Sequence, residues 1–226
     1  MKMKKKRKKF KVKGIISFIV IVLIIVGFVY WYKDKRITNI YVTGNKLLSE
    51  QMVIELAQIE DYPYIYKVSG DKIRKRLLTS PFVNDAKVKK SFLGKVTIEL
   101  VEYQVLYKDS VNNQYVLSNG KGISYDEIIS GIPSLTNEVK DEVYNKFIKA
   151  LKKIDSDTMI KISEITYDPN TLDDERFLLY MIDQNYVYIT LDKVEVVNTY
   201  NEIVPTLEGK KGILYLDSGN HFEIKK

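Results

Sequence analysis

Residues 14–32 read GIISFIVIVLIIVGFVYWY, nineteen positions without a charge. At about 1.5 Å rise per residue, a helix of that length covers roughly 28 Å, close to the hydrocarbon thickness of a bilayer. A helix satisfies its own backbone in lipid, so the β-branched content does not argue for a strand. The pattern predicts a membrane-spanning helix with its two flanks on opposite sides. After a short polar connection at 33–39, alternation over 37–42 predicts a strand ended by Gly44-Asn45. Ser49 is placed to cap a helix running to about Gln58, with Met52, Leu56 and Ile59 on one face. An aromatic loop follows at 62–66. A second helix from Gly70-Asp71 buries Ile73, Leu77 and Leu78, and Pro81 stops it. Residues 83–89 and 95–101 alternate as a strand pair around a turn at Leu93-Gly94. Val96, Ile98 and Leu100 face one way, Thr97 and Glu99 the other.

The second half is strand-rich. Residues 114–117 and 122–125 flank Asn119-Gly120, a hairpin signal in which both turn positions favour positive φ. A connection at Ile132-Pro133-Ser134-Leu135 leads to an amphipathic helix over 138–154, with Val139, Val143, Phe147, Leu151 and Ile154 on one face. Residues 159–167 read as a strand, and 177–182 with 186–191 as a hairpin across Asp183-Gln184-Asn185. Residues 192–207 carry Val194, Val197, Tyr200 and Ile203 at helical spacing, interrupted at Pro205. Residues 212–217 form the last expected strand, and 221–226 a short tail. The expected class is α+β. An N-terminal transmembrane helix precedes a small βααββ domain, then a larger β-rich domain with flanking helices.

Charge changes the picture in one respect. The chain has 36 Lys and Arg against 29 Asp and Glu. Nine of the basic residues fall in residues 1–13, leaving 27 basic against 29 acidic beyond them, a net of −2. The basicity is a tail rather than a surface, so it does not point to nucleic acid. A basic flank on one side of an apolar helix sets the N-terminus in the cytoplasm and the body outside. The run is longer than a signal peptide's apolar region and ends in aromatics rather than small residues, so an uncleaved anchor is expected. The chain has no cysteine, which excludes disulfides, thiol catalysis and Cys-ligated metal.

Little in the pattern looks catalytic. The single histidine, His221, would have to serve any Ser-His-Asp triad from a segment prone to fray. It cannot supply a multi-histidine metal site. Gly120-Lys121-Gly122 lacks phosphate-loop spacing, and Asp173-Asp174-Glu175 reads as a solvated loop. Glu99 and Glu102 are the one carboxylate pair offering a hydrolase reading. No catalytic, cofactor or metal residue is assigned. The 17 tyrosines read mostly as half-buried strand residues. Tyr186, Tyr188 and Tyr215 are candidates for a protein-binding face at a sheet edge.

The layout resembles the FtsQ/DivIB family of bacterial cell-division proteins. The resemblance is carried by Ile37-Thr38-Asn39-Ile40-Tyr41-Val42-Thr43-Gly44-Asn45 and Leu48-Ser49, similar to the opening of the family's POTRA domain. Ser80-Pro81-Phe82-Val83-Asn84-Asp85-Ala86-Lys87-Val88 and Val96-Thr97-Ile98-Glu99-Leu100-Val101-Glu102 match its second half. Tyr115-Val116-Leu117-Ser118-Asn119-Gly120-Lys121-Gly122, Ile132-Pro133-Ser134-Leu135 and Gly212-Ile213-Leu214-Tyr215-Leu216-Asp217 resemble parts of the β domain. The order of these motifs gives the resemblance its specificity. It implies a basic tail at 1–13, a membrane helix at 14–32, a POTRA-type domain at 33–104, a β domain at 105–220 and a tail at 221–226.

By function, the resemblance implies a non-enzymatic scaffold of the division complex, located at the septum, that binds FtsB/DivIC-like and FtsL-like partners. It implies no cofactor, small-molecule substrate or nucleic acid. Carried over by position, the partner-binding residues are Ile213, Leu214, Tyr215, Leu216 and Asp217. An incoming strand would add to that edge. The competing expectations are a POTRA-type component of another envelope ring, as in sporulation, and a wall hydrolase using Glu99 and Glu102.

Overall fold

A computed structural model describes residues 12–225, so the expected basic tail falls almost wholly outside the described residues. The chain forms two compact units that divide between Glu102 and Tyr103.

The first unit begins with α1 (Val12–Lys33), longer than the apolar run at both ends. It is long and apolar enough to cross a membrane, and its residues from Lys13 to Trp31 are exposed within the chain. Then come β1 (Asn39–Thr43), α2 (Glu50–Ala57), α3 (Gly70–Leu77), β2 (Val83–Lys90) and β3 (Lys95–Glu102). The expected βααββ order is present. β3 is central, parallel to β1 and antiparallel to β2. Ser49 caps α2 by accepting from the Met52 amide at 3.1 Å.

The buried face of α2 departs from expectation. Val53, Ile54 and Ala57 pack inward, while Met52 and Leu56 line an open groove of about 580 Å³ with Leu48 and Phe82. In a helix of only eight residues two apolar stripes compete: Met52 and Leu56 fall on the outer one, while Ile59, just past the left-handed Gln58, is buried. Val96, Ile98 and Leu100 of β3 are buried as the alternation predicts.

The second unit adds β4 (Val105–Asp109), β5 (Gln114–Leu117), β6 (Gly122–Ile123), β7 (Ser134–Leu135), α4 (Asp141–Leu151) and α5 (Ser156–Met159). It continues with β8 (Ile162–Tyr167), β9 (Arg176–Met181), β10 (Tyr186–Thr190), β11 (Gly212–Tyr215) and β12 (His221–Ile224). The nine strands form one sheet in the order β12-β11-β10-β9-β8-β7-β4-β5-β6. Residues 191–207 are 3-10 turns with one α turn at Tyr200–Ile203, rather than one helix. Only Gly120 of the Asn119-Gly120 pair has positive φ, so that turn is not the double-positive type expected.

β4 and β7 escaped the pattern for physical reasons. In β4, Val105, Leu106 and Tyr107 are all buried, so the apolar run does not alternate. β7 is a two-residue strand bridging β4 and β8 in parallel.

α4 and the 191–207 segment cover one face of the sheet. Phe147 of α4 stacks on Phe177 of β9 with centroids 4.7 Å apart. Ile165, Leu179, Val187, Ile189, Val197, Tyr200 and Leu214 complete that core.

Candidate partner-binding face

Alternation along the late strands decides which side chains leave the core. Phe177, Leu179, Val187, Ile189, Leu214 and Leu216 are buried; Leu178, Tyr180, Tyr186, Tyr188, Ile213 and Tyr215, one position on, are half-buried on the other face. Register brings them together. β10 and β11 run parallel with Tyr186 opposite Ile213 and Tyr188 opposite Tyr215, while antiparallel β9 sets Tyr180 opposite Tyr186.

The result is a continuous aromatic surface. Tyr180 meets Tyr186 edge-on at 5.0 Å, Tyr188 stacks on Tyr215 at 5.4 Å, and Tyr215 stacks on His221 of β12 at 4.5 Å. Such rings offer large contact area with few rotamers to freeze, which suits an interface. Lys225 lies over the Tyr186 ring at 4.7 Å and donates to its hydroxyl at 3.3 Å. The Tyr215 hydroxyl donates to Glu223 at 3.2 Å.

Arg176 fixes one end of this surface. Its guanidinium carbon lies 3.4 Å from the Tyr188 ring centroid, Nε donates to Asp217 at 2.8 Å, and Nη1 donates to Asp168 at 2.9 Å. Burial pulls the guanidinium pKa down, but the hydrogen bond to Asp217 and the charges around it outweigh that and raise it. Burial also pushes the Tyr188 phenol up, with the Asp168 charge adding to it.

The other end rests on Asn185, only 2% exposed. Its Oδ1 accepts the Gly212 amide at 3.0 Å, and its Nδ2 donates to the Tyr200 hydroxyl at 3.1 Å. Tyr200 in turn donates to Asp183 at 2.9 Å. The β9–β10 turn thus holds the first residue of β11 in register.

Of the seven expected binding residues, Tyr186, Tyr188, Ile213 and Tyr215 share this face. Leu214 and Leu216 turn into the core, 3% and 2% exposed, and Asp217 is engaged by Arg176. One expectation is overturned: 212–217 is not the last strand, and 221–226 is not merely a tail. β12 pairs antiparallel with β11, Gly212 opposite Ile224 and Tyr215 opposite His221, so the outer edge belongs to β12. Gly212 permits that pairing, because a Cβ there would fall 2.0 Å from the Glu223 carbonyl oxygen. Tyr180, Arg176 and His221 were missed as members of the face. Alternation in β9 and the positive-φ pair Gly219-Asn220 were the available signals.

The catalytic alternatives lose their geometry. Glu102 accepts the backbone amides of Lys46, Leu47 and Leu48 at 2.9, 2.8 and 3.0 Å. Glu99 pairs with Lys89 at 2.5 Å. Glu102 holds the fold while Glu99 makes an exposed ion pair, and an odd spacing on one strand turns them to opposite faces. Among the described residues no group of three His, Cys, Asp or Glu is arranged to hold a metal ion.

Residues 35–103 match the FtsQ-type POTRA domain family. Cell division protein DivIB of Bacillus subtilis (strain 168) is 29% identical over 231 residues, covering 98% of this chain and 88% of that protein. The chain is similar to the FtsQ/DivIB family over nearly its whole length. DivIB of Listeria monocytogenes serovar 1/2a is 26% identical over 240 residues, covering 98% of this chain and 85% of that protein. The major extracytoplasmic domain of the trans isomer of DivIB from Geobacillus stearothermophilus aligns with 47% of this chain and 95% of its own, at 19% identity and a TM-score of 0.40. The residues that match the POTRA family fall after α1 and, but for the last, in the first unit. The aromatic face lies on the β-rich unit that follows it. The chain is a division-associated POTRA protein with an N-terminal apolar helix consistent with a single membrane span.

Proposed function

We propose that this chain is a bitopic scaffold of the division complex. It recruits and links other components at the septum through contacts made outside the cytoplasmic membrane, with its N-terminus inside. The observation that carries this reading is the tyrosine face of β9–β11, which runs without interruption onto the unpaired outer edge of β12. An extended partner segment gains main-chain hydrogen bonds at such an edge and side-chain contacts on the adjoining rings. FtsB/DivIC-like and FtsL-like proteins are the partners this reading names, bound through Tyr186, Tyr188, Ile213 and Tyr215.

Leu214, Leu216 and Asp217 contribute by holding those rings in place. The test is co-purification of tagged full-length protein from dividing cells. Tyr186→Ser with Ile213→Ser should abolish recovery of the DivIC-type partner while the melting profile stays near wild type. Undiminished recovery with the double variant sinks the assignment. A fluorescent fusion scattered evenly around vegetative cells argues against the septal role.

A further inference from the structure

The turn between β2 and β3 exposes two large apolar side chains in succession, Phe92 at 58% and Leu93 at 57%. The turn is firmly built: Ser91 N donates to Lys95 O at 2.8 Å, Gly94 N to Ser91 O at 3.1 Å, and Leu93 N to Ser91 Oγ at 3.2 Å. It is therefore a fixed apolar prominence rather than a side chain loosely turned out.

Its position follows from the chain. Thr38 N donates to Gly94 O at 2.9 Å, and a Cβ on Gly94 would lie 2.5 Å from Arg36 O. Arg36 is three residues beyond Lys33, the end of α1, so at most about 11 Å of chain separates them. β1 and β3 are parallel, with Asn39 opposite Lys95. The chain preceding Lys95 therefore projects the same way as the chain preceding Asn39, back toward the helix. α1, at 22 residues, is about 33 Å long, so its end lies among the headgroups of a bilayer about 30 Å thick in its hydrocarbon.

The surroundings match such a surface in charge. Ile37 N to Pro63 O at 3.0 Å and Ile65 N to Lys35 O at 2.8 Å tie the 62–66 loop to the same end. Residues 33–38, 62–68 and 89–95 together carry seven Lys or Arg and one acid, Asp34; Lys89 pairs with Glu99 and Lys90 donates to the Ile65 and Val68 carbonyls, which leaves Lys33, Lys35, Arg36, Lys67 and Lys95 for lipid. Several of these cations lie over rings: Lys35 over Trp31 at 4.4 Å, Arg36 over Tyr64 at 4.4 Å, Lys67 over Tyr64 at 5.3 Å, and Lys95 over Tyr41 at 4.3 Å. Amphipathic rings and cations of this kind sit at headgroup level and attract anionic lipid.

We infer that the POTRA unit docks on the outer leaflet, with Phe92 and Leu93 inserted at the headgroup boundary and the surrounding cations on anionic phospholipid phosphates. The anchor would then hold the unit down on the membrane rather than let it swing. This rests on α1 spanning the bilayer, and the experiment separates the two claims.

Full-length protein is reconstituted in phosphatidylglycerol/phosphatidylcholine vesicles containing brominated lipid. Trp31, the chain's single tryptophan, first reports whether α1 is inserted. In Trp31→Phe/Phe92→Trp protein, the new tryptophan should show blue-shifted emission and quenching comparable to that of Trp31, and more quenching with phosphatidylglycerol than with phosphatidylcholine alone. A quenched Trp31 with a water-like, unquenched tryptophan at 92 overturns the docking while leaving the anchor intact. An unquenched Trp31 overturns both. Equal quenching at 92 in both lipids overturns the part assigned to the cations.

Discussion

Arg176 at the start of β9 reaches across β10 to Asp217, beyond the end of β11, with Nε and Oδ2 2.8 Å apart. The two side chains are 14% and 9% exposed, so removing Asp217 leaves a nearly buried guanidinium with only the more exposed Asp168 as its anionic partner. Asp217→Ala should lower stability by about 2–3 kcal/mol in urea denaturation of full-length protein in mild detergent. Asp217→Asn, which keeps an acceptor, should cost less. If alanine costs no more than an exposed pair, about 0.5 kcal/mol, the pair does not hold β11 in place.

Glu102 makes a separate, structural prediction. Its carboxylate satisfies three successive amides, and bonds to a charged acceptor contribute about 1.5–3 kcal/mol. Glu102→Ala should destabilise the POTRA unit by about 2–3 kcal/mol, seen as a lowered urea midpoint. Cell-wall zymography should give the same result for variant and wild type. A wall-lytic activity lost on substitution would contradict the structural role.

Gly212→Ala should unzip β12. The added methyl meets the Glu223 carbonyl oxygen, and backbone cannot yield as a flexible side chain does. Amide exchange should rise sharply within 221–224 and change little in β9 and β10. Protection retained across β12 would mean that its pairing with β11 does not depend on that contact.

Alkaline stability follows from two phenols. Burial, then the Tyr144 hydrogen bond, raises the Tyr107 pKa. Burial raises that of Tyr200 against the opposing hydrogen bond from Asn185, and Asp183 adds to the rise. In the unfolded chain both ionise near pH 10, but folded they keep their protons. The unfolded state thus binds fewer protons above that pH, so stability is complete below about pH 10 and falls as pH rises further. Tyrosinate absorbance should show these two appearing only with loss of circular dichroism. Their ionisation before unfolding would refute the assignment.

Much of this was legible because β strands alternate. β3 showed its buried face in Val96, Ile98 and Leu100, and β10 showed both of its faces. Where a strand is buried on both sides, as at Val105-Leu106-Tyr107, alternation vanishes and so did the prediction. The edge was missed because His221–Ile224 is too short for its own pattern. Only the pairing with β11 makes it a strand. Tyr186, Tyr188 and Tyr215 could be singled out by type. Arg176, which orders them, could not, because its partners Asp168 and Asp217 are 8 and 41 residues away.

The most direct test of the central claim is site-specific photocrosslinking in dividing cells, with the crosslinker at Tyr186 on the aromatic face or at Leu172, 96% exposed in the loop before β9. The account predicts a crosslink from position 186 to a DivIC-type or FtsL-type division protein, and none from position 172. No crosslink at 186, or the same crosslink from both positions, would contradict it.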